Sequence, residues 1–468
     1  MGTFPAIFIL EKGQPAYPIR YKAVSKAEFS ALMEKPSEAR AEELAQLVEG
    51  GQNLGPEAFR PEGWTLGSAD ENAILRKMEE NGVPLGAYVE GIYYGIKTGF
   101  NEAFFIDEPT RNRLIKEDSR SAELIKPLLV GDDVRHYYAR WPKTYLILIP
   151  SSSHFDEGSW ADSQIQEEAE QIFKETYPAI YKHLVSWRDK LKARSDQGRW
   201  WWELRPCAYY QLLEAPKIVY PEIAKEPRFY LDYRGFYINK KLFFIPRADW
   251  YLLAVLNSRV AFGILKLRLS ALGDADEGGR LELRAVHLQH LPIPKVPHTT
   301  QASELEIALE EARKHYAQGE VSAALTWAEK ELVAGCRDTV AAFLGFLAQE
   351  MQRMQAERLS LEGGWRGWVE HAFQGTGKLG KEWLAEDWAR EGLGVGVEAI
   401  TERFKVKRVK TTPQTLAQLK MHTQETLDQL RPLYQRLEAT DRLIDRLVAR
   451  LYGLTDEEAE RLWATPSS

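Results

Sequence analysis

The chain has 468 residues, 44% hydrophobic, 28% charged and 11% aromatic, enough for two to four domains of about 150 residues each. Its 61 Lys and Arg against 68 Asp and Glu leave a net charge of −7, so any affinity for nucleic acid has to be local. Only Cys207 and Cys336 are present, which excludes a disulfide scaffold and a cysteine-built zinc site and points to a reducing, cytoplasmic compartment; no run of about 18 apolar residues offers a membrane span.

In chain order, Phe4 to Leu10 reads as a strand buried on both faces, with no neighbouring strand in the nearby sequence. A Glu- and Ala-rich helix is expected at 26–48, a Gly- and Pro-rich linker at 50–64, and a helix at 69–82. Short strands are then expected at 88–95, 103–106, 144–149, 217–223, 229–231 and 242–245, with helices at 120–129, 161–193 and 248–266. Strands broken by helices at irregular intervals indicate an α+β domain, and the Pro-rich stretch 291–300 marks its end. Beyond it the composition turns helical. Leu427, Leu430, Tyr434, Leu437, Leu443, Leu447 and Leu451 give the spacing of an amphipathic helix pair, with a stop at Gly453 and a new N-cap at Thr455 backed by Glu458. The expected class is α+β: a mixed-sheet domain at 68–298, preceded by a residual strand (1–22) and a linker with a helix (23–67), and followed by an all-α helical domain at 299–468.

Three constellations carry chemistry. Gly91-Ile92-Tyr93-Tyr94-Gly95-Ile96-Lys97-Thr98-Gly99-Phe100-Asn101 lets a backbone approach a ligand closely through its three glycines, and Lys97, Thr98 and Asn101 can donate to phosphate oxygens; a plain tight hairpin would look the same. The order of a nucleotide P-loop is absent. Arg135-His136-Tyr137-Tyr138-Ala139-Arg140-Trp141 interleaves cations with rings, as phosphate clamping and base contact require, or as a strand edge with its Arg heads in solvent would. Arg199-Trp200-Trp201-Trp202-Glu203-Leu204-Arg205 repeats the pattern more strongly, and three consecutive tryptophans cannot all face one core, so at least one is expected at a partner or domain interface.

Lys240, Lys241, Arg247, Arg259, Lys266, Arg268 and Arg280 continue the basic content, and Arg403, Lys405, Lys407, Arg408 and Lys410 form a basic run that also suits a solvated loop. Gly392 to Gly396 reads as a glycine-rich helix break. No catalytic or metal-ligating centre emerges: the nine histidines lack ligand spacing, and Asp132-Asp133 has no Glu-x-Lys partner nearby.

Five blocks in order, GIKTGFNEAFFID (95–107), ELIKPLLVGDDVRHYYARWPKTYLILIP (123–150), WELRPCAYYQLLEAPKIVYPEIA (202–224), YLLAVLNSRV (251–260) and LPIPKV (291–296), resemble the TaqI-like C-terminal specificity domain of large adenine-specific DNA methyltransferases, including Type IIG restriction-modification enzymes and the BREX-type enzymes of phage defence. TDRLIDRLVARLYGLTDEEAERL (440–462) looks like the closing helices of the same chains. The resemblance implies double-stranded DNA as partner, with Lys97, Thr98 and Asn101 near its backbone. Arg135, Arg140, Arg199, Trp200, Trp201, Trp202 and Arg205 are the next DNA-binding candidates. In that family a separate methyltransferase domain binds S-adenosylmethionine and carries an Asn-Pro-Pro-Tyr-type loop that holds a flipped adenine. Neither that loop nor a glycine-rich cofactor motif occurs here, so residues 1–22 are expected to be the remnant of a methyltransferase sheet and the chain to be inactive on its own. Two alternatives remain: an adaptor that docks to a separate methyltransferase by strand addition, and a metal-dependent nuclease using Asp132 and Asp133.

Overall fold

The computed structural model describes residues 19–22, 24, 26–56, 59–60, 63–64, 68–152, 160–269, 272, 279–372, 389, 397 and 412–464. The strand expected at 4–10, the glycine-rich break at 392–396 and the basic run at 403–410 lie outside them. The described residues fall into two compact units, one drawn from Met1–Ala248, Val255–Pro297 and Val448–Ser468, the other from Asp249–Ala254 and His298–Leu447. No described helix is by itself long and apolar enough to cross a membrane.

The first unit starts with β1 (Ile19–Tyr21), α1 (Lys26–Glu34), α2 (Ser37–Glu49) and β2 (Gln52–Leu54), β1 pairing antiparallel with β2. One helix was expected at 26–48; it breaks at Pro36, and the Arg40 guanidinium closes the end of α1 by donating to the carbonyls of Met33 and Lys35, 2.7 Å each. After the short hairpin of β3 (Phe59–Arg60) and β4 (Gly63–Trp64), Ser68 starts α3 (Ala69–Glu80) with a capping box: its hydroxyl accepts from Glu71 N and the Glu71 carboxylate accepts from Ser68 N. Then come β5 (Gly82–Pro84), α4 (Leu85–Tyr88), β6 (Tyr93–Tyr94), α5 (Asn101–Phe104), β7 (Phe105–Ile106), α6 (Glu108–Glu117), α7 (Ser121–Leu124) and β8 (Ile125–Leu129). The strand expected at 88–95 therefore shrinks to β6. The helix expected at 120–129 gives way to a strand after one turn, because Pro127 lacks an N–H and disfavours helix at the residue before it.

Next follow β9 (Val134–Arg135), β10 (Tyr138–Ala139), β11 (Tyr145–Ile147), α8 (Gln166–Thr176), α9 (Pro178–Val185) and α10 (Arg188–Ala193). Pro178 at the first position of α9 divides the helical stretch expected at 161–193. The remaining strands are β12 (Lys217–Pro221), β13 (Ile223–Ala224), β14 (Tyr230–Asp232), β15 (Tyr237–Ile238), β16 (Leu242–Pro246), β17 (Leu281–Glu282) and β18 (Pro292–Pro294), with α11 (Trp250–Asn257), α12 (Arg259–Arg268) and α13 (Ala285–Leu288) between them. Two four-stranded sheets form the centre, in the orders β15-β8-β11-β7 and β14-β12-β16-β6. Only the β15–β8 pairing is parallel among these strands. Every residue of β12 and β16 is buried, the apolar ones as interior strands require and Lys217 through its ion pair with Asp232. The fold class is α+β.

β18 pairs antiparallel with β5, Pro292 opposite Pro84. The chain's last segment belongs to the same unit: Gly453, at φ +73°, ends a helix, and Thr455 opens the next (Asp456–Ala464) by a reciprocal cap with Glu458. Tyr452, fully buried, donates its hydroxyl proton to the Pro292 carbonyl.

In the second unit α14 (Ala302–Ala317), α15 (Val321–Val333) and α16 (Arg337–Ala372) accompany the helix that runs through Pro413–Leu451. The expected helix pair is thus one 39-residue helix that continues through Pro432. Its partner α16 contributes a buried network: Arg358 binds both carboxylate oxygens of Glu362 at 2.9 and 3.1 Å, and Tyr434 donates to Glu362 at 2.9 Å.

Candidate nucleic-acid interface

The glycine block begins where β6 leaves its sheet. Gly95 N donates to Leu242 O at 2.9 Å and Ile96 N to Ile238 O at 2.7 Å, and a β-carbon on Gly95 would sit 2.2 Å from the Asn239 carbonyl, so only glycine fits. Lys97 follows, half-buried, its ammonium 5.1 Å from the Tyr94 ring centroid. Among the described residues no carboxylate pairs with it. Thr98 is buried and gives its hydroxyl proton to Asn101 Oδ1 at 2.7 Å, while Gly99 turns the chain at φ +71°. The loop thus spends its Thr98 hydroxyl internally and leaves the Lys97 charge outward.

Arg194 holds this loop from behind. Its buried guanidinium donates to Thr98 O at 2.5 Å, Trp201 O at 3.0 Å and Glu203 O, and lies 4.7 Å from the Phe104 ring centroid. Burial lowers its pKa to about 10, so it stays charged at neutral pH.

The tryptophans correct the sequence expectation. Trp200, Trp201 and Trp202 are 6%, 3% and 0% exposed and all belong to one core. The reason is local geometry: Glu203 N donates to Trp200 O at 3.0 Å, closing a turn, so the three rings fan out where an extended chain would have alternated them. The Trp202 ring stacks on Phe173 with centroids 5.4 Å apart, the Trp201 indole donates to Glu170, and the buried Glu203 carboxylate accepts from Trp160 Nε1 at 3.0 Å and Trp200 N at 3.2 Å. Of that block Arg199 alone is exposed, its guanidinium over Trp200 and bonded to Gln164.

The Arg135 block is a hairpin. Tyr138 pairs with Arg135 and Ala139 with Val134; Tyr137, at φ +64°, drives its ring fully inside and donates its N–H to Phe229 O at 3.1 Å. Arg135 and Arg140 flank it, half-buried. At its base Asp133 Oδ2 accepts from Val130 N at 2.7 Å and Asp133 O accepts from Arg140 N at 2.7 Å. Burial pushes the Asp133 carboxyl up to about 6, partly offset by the Val130 N–H and by Arg135 and Arg140. Asp132 is exposed, and among the described residues no three His, Cys, Asp or Glu side chains converge on a metal position.

A cleft of about 220 Å³ joins two blocks that are a hundred residues apart in sequence. Tyr94, Gly95, Ile96 and Lys97 line one side, and Arg205 to Tyr210 the other. Tyr209 donates to Tyr94 O at 3.1 Å and Arg205 pairs with Asp196 at 3.4 Å, while burial raises the Cys207 thiol pKa. Sequence reasoning missed Arg194 and Tyr209. Arg194 carries no local signal, because its acceptors are backbone carbonyls, one of them on Thr98 ninety-six residues away.

Residues 126–293, which include the Arg135 hairpin, the three tryptophans and the Arg205 side of the cleft, match the TaqI-like C-terminal specificity domain. Over a wider span the chain is similar to the Type II methyltransferase M.XhoI of Xanthomonas vasicola, 24% identical over 66% of this chain and 54% of that protein. It is also similar to the Type II methyltransferase M.PaeR7I of Pseudomonas aeruginosa, 22% identical over 53% of this chain and 40% of that protein. The chain thus spans about half the length of these curated relatives. Among solved structures it is similar to the Type IIL restriction-modification enzyme MmeI in complex with DNA, with a TM-score of 0.27 at 14% identity over 50% of this chain and 28% of that one. The type IIG restriction endonuclease BpuSI gives 0.32 at 12% identity over 57% and 29%.

Proposed function

We propose that this chain reads the target site of an adenine-specific restriction-modification methyltransferase on double-stranded DNA, within a Type IIG or BREX-type phage-defence system of the cytoplasm. The observation that carries the reading is that the specificity-domain match covers the Arg135 hairpin and the Arg205 side of the cleft, onto which Lys97 also opens. Lys97, Arg135, Arg140, Arg199 and Arg205 contact phosphates, and neighbouring side chains read base edges. A net charge of −7 is no obstacle, since counterion release depends on the phosphates contacted.

The sequence has neither a glycine-rich cofactor motif nor an Asn-Pro-Pro-Tyr-type loop for S-adenosylmethionine and its target adenine. The cofactor and the methyl transfer belong to a methyltransferase domain or subunit that this chain serves, and the chain alone transfers no methyl group.

The test is a titration with random-sequence duplex at two salt concentrations, repeated with a Lys97→Ala/Arg135→Ala variant. Salt-sensitive binding that the variant loses is expected. Absence of binding by the unaltered chain, or equal binding by both, would sink the reading.

A further inference from the structure

The turn between β15 and β16 carries Lys240 and Lys241, both exposed. Its backbone is fixed on every side. Leu242 N donates to Asn239 O at 2.9 Å, Lys241 N to Asn239 Oδ1 at 3.2 Å, Asn239 N to Leu129 O at 3.1 Å and Glu222 N to Lys241 O at 2.9 Å. A β-carbon on Gly131 would lie 3.3 Å from the Lys241 Cβ, so the turn abuts the loop that leads into Asp133. Among the described residues neither ammonium has a carboxylate partner.

Strand register shows what surrounds this turn. Leu242 stands opposite Pro221, Phe243 opposite Tyr94, and Val219 opposite Tyr230. Lys241, Gly95 and Phe229 therefore leave the four-stranded sheet at the same end. From Gly95 the chain reaches Lys97; Phe229 is the residue on which the Tyr137 hairpin hangs. Three segments far apart in sequence thus bring Lys97, Lys240, Lys241 and the Arg135–Arg140 hairpin to one end of one sheet. The opposite end holds the self-neutralised pairs Lys217–Asp232 and Arg247–Glu90.

We infer that the Lys240–Lys241 turn is a phosphate grip on duplex DNA, giving affinity without sequence information beside the elements that read the site. The inference rests on the DNA-recognition reading above. A backbone already locked in place loses little entropy on binding, and two exposed ammonium groups can each displace a condensed counterion from a phosphate. Lys suits this better than base reading, being a flexible point charge with no planar fork.

The test is fluorescence anisotropy of the whole chain with a labelled duplex over a salt series. Four proteins are compared: the unaltered chain, Lys240→Gln/Lys241→Gln, the charge-keeping Lys240→Arg/Lys241→Arg, and a control of equal charge change, Lys174→Gln/Lys182→Gln. Loss of two phosphate contacts lowers the slope of log affinity against log salt by about 1–2. That drop is expected in the Gln pair alone, with the ranking of duplex sequences unchanged and the Arg pair close to the unaltered chain. An unaltered slope in the Gln pair, an equal drop in the control, or a changed ranking overturns the inference while leaving DNA recognition standing. No salt-dependent binding by the unaltered chain would remove both.

Discussion

Lys217 and Asp232 face each other across the β12–β14 ladder, 2.6 Å apart and both fully buried. The ammonium also donates to Leu213 O, and the carboxylate accepts from Arg234 N at 2.8 Å and Phe236 N at 2.9 Å. Each charge is thus compensated by its partner and by peptide dipoles, although burial still lowers the Lys217 pKa. Lys217→Met strands the carboxylate and is expected to cost about 3–5 kcal/mol. Lys217→Met/Asp232→Asn should recover part of it, read from the denaturant midpoint by tryptophan fluorescence. Equal midpoints for Lys217→Met and the unaltered chain would refute this.

Asp133 predicts a pH dependence of definite sign. Its carboxyl titrates near 6 in the folded chain and near about 3.9 when unfolded. Between those values the folded state holds a proton that the unfolded state has released, so stability falls as pH rises through this window and levels off above it. Asp133→Asn keeps an acceptor for Val130 N and removes the titration. Its stability relative to the unaltered chain should rise from pH 4 to 6 by at most about 3 kcal/mol. A difference that stays flat would show that Asp133 titrates normally.

Gly99 occupies φ +71°, and a β-carbon there would come within 2.9 Å of the Asp196 carbonyl. Gly99→Ala is expected to cost about 1–2 kcal/mol from backbone strain and to weaken DNA binding as Lys97 shifts. Unchanged melting and unchanged affinity together would contradict both halves.

Trp202 and Arg199 separate stability from binding. Trp202→Ala empties a fully buried position and should cost about 3–5 kcal/mol. Arg199→Ala, at an exposed position, should shift stability by no more than about 0.5 kcal/mol and act on DNA affinity instead. The reverse pattern in thermal melts would overturn the assignment of the three tryptophans to the core.

What the sequence made legible was local. The cap at Thr455, the apolar strand β16 and the glycines of the Lys97 loop each announce themselves within a few residues. The errors came where a non-local or turn geometry took over. Pro127 turned a helical stretch into β8, and a single i to i+3 hydrogen bond sent three tryptophans into one core. Arg194 stayed invisible because the carbonyls of residues 98, 201 and 203 meet only after folding.

The pairing of Pro84 with Pro292 places the two ends of some two hundred intervening residues side by side. Tyr452 fastens one of those ends from the closing segment of the chain. The stretch between them is also tied to the closing helix: a β-carbon on Gly263 would lie 3.0 Å from Leu462, and the Arg259 guanidinium sits over the Trp463 ring. An exchange of this stretch between relatives therefore has to preserve the face that α12 turns to the closing helix as well as the two ladder ends.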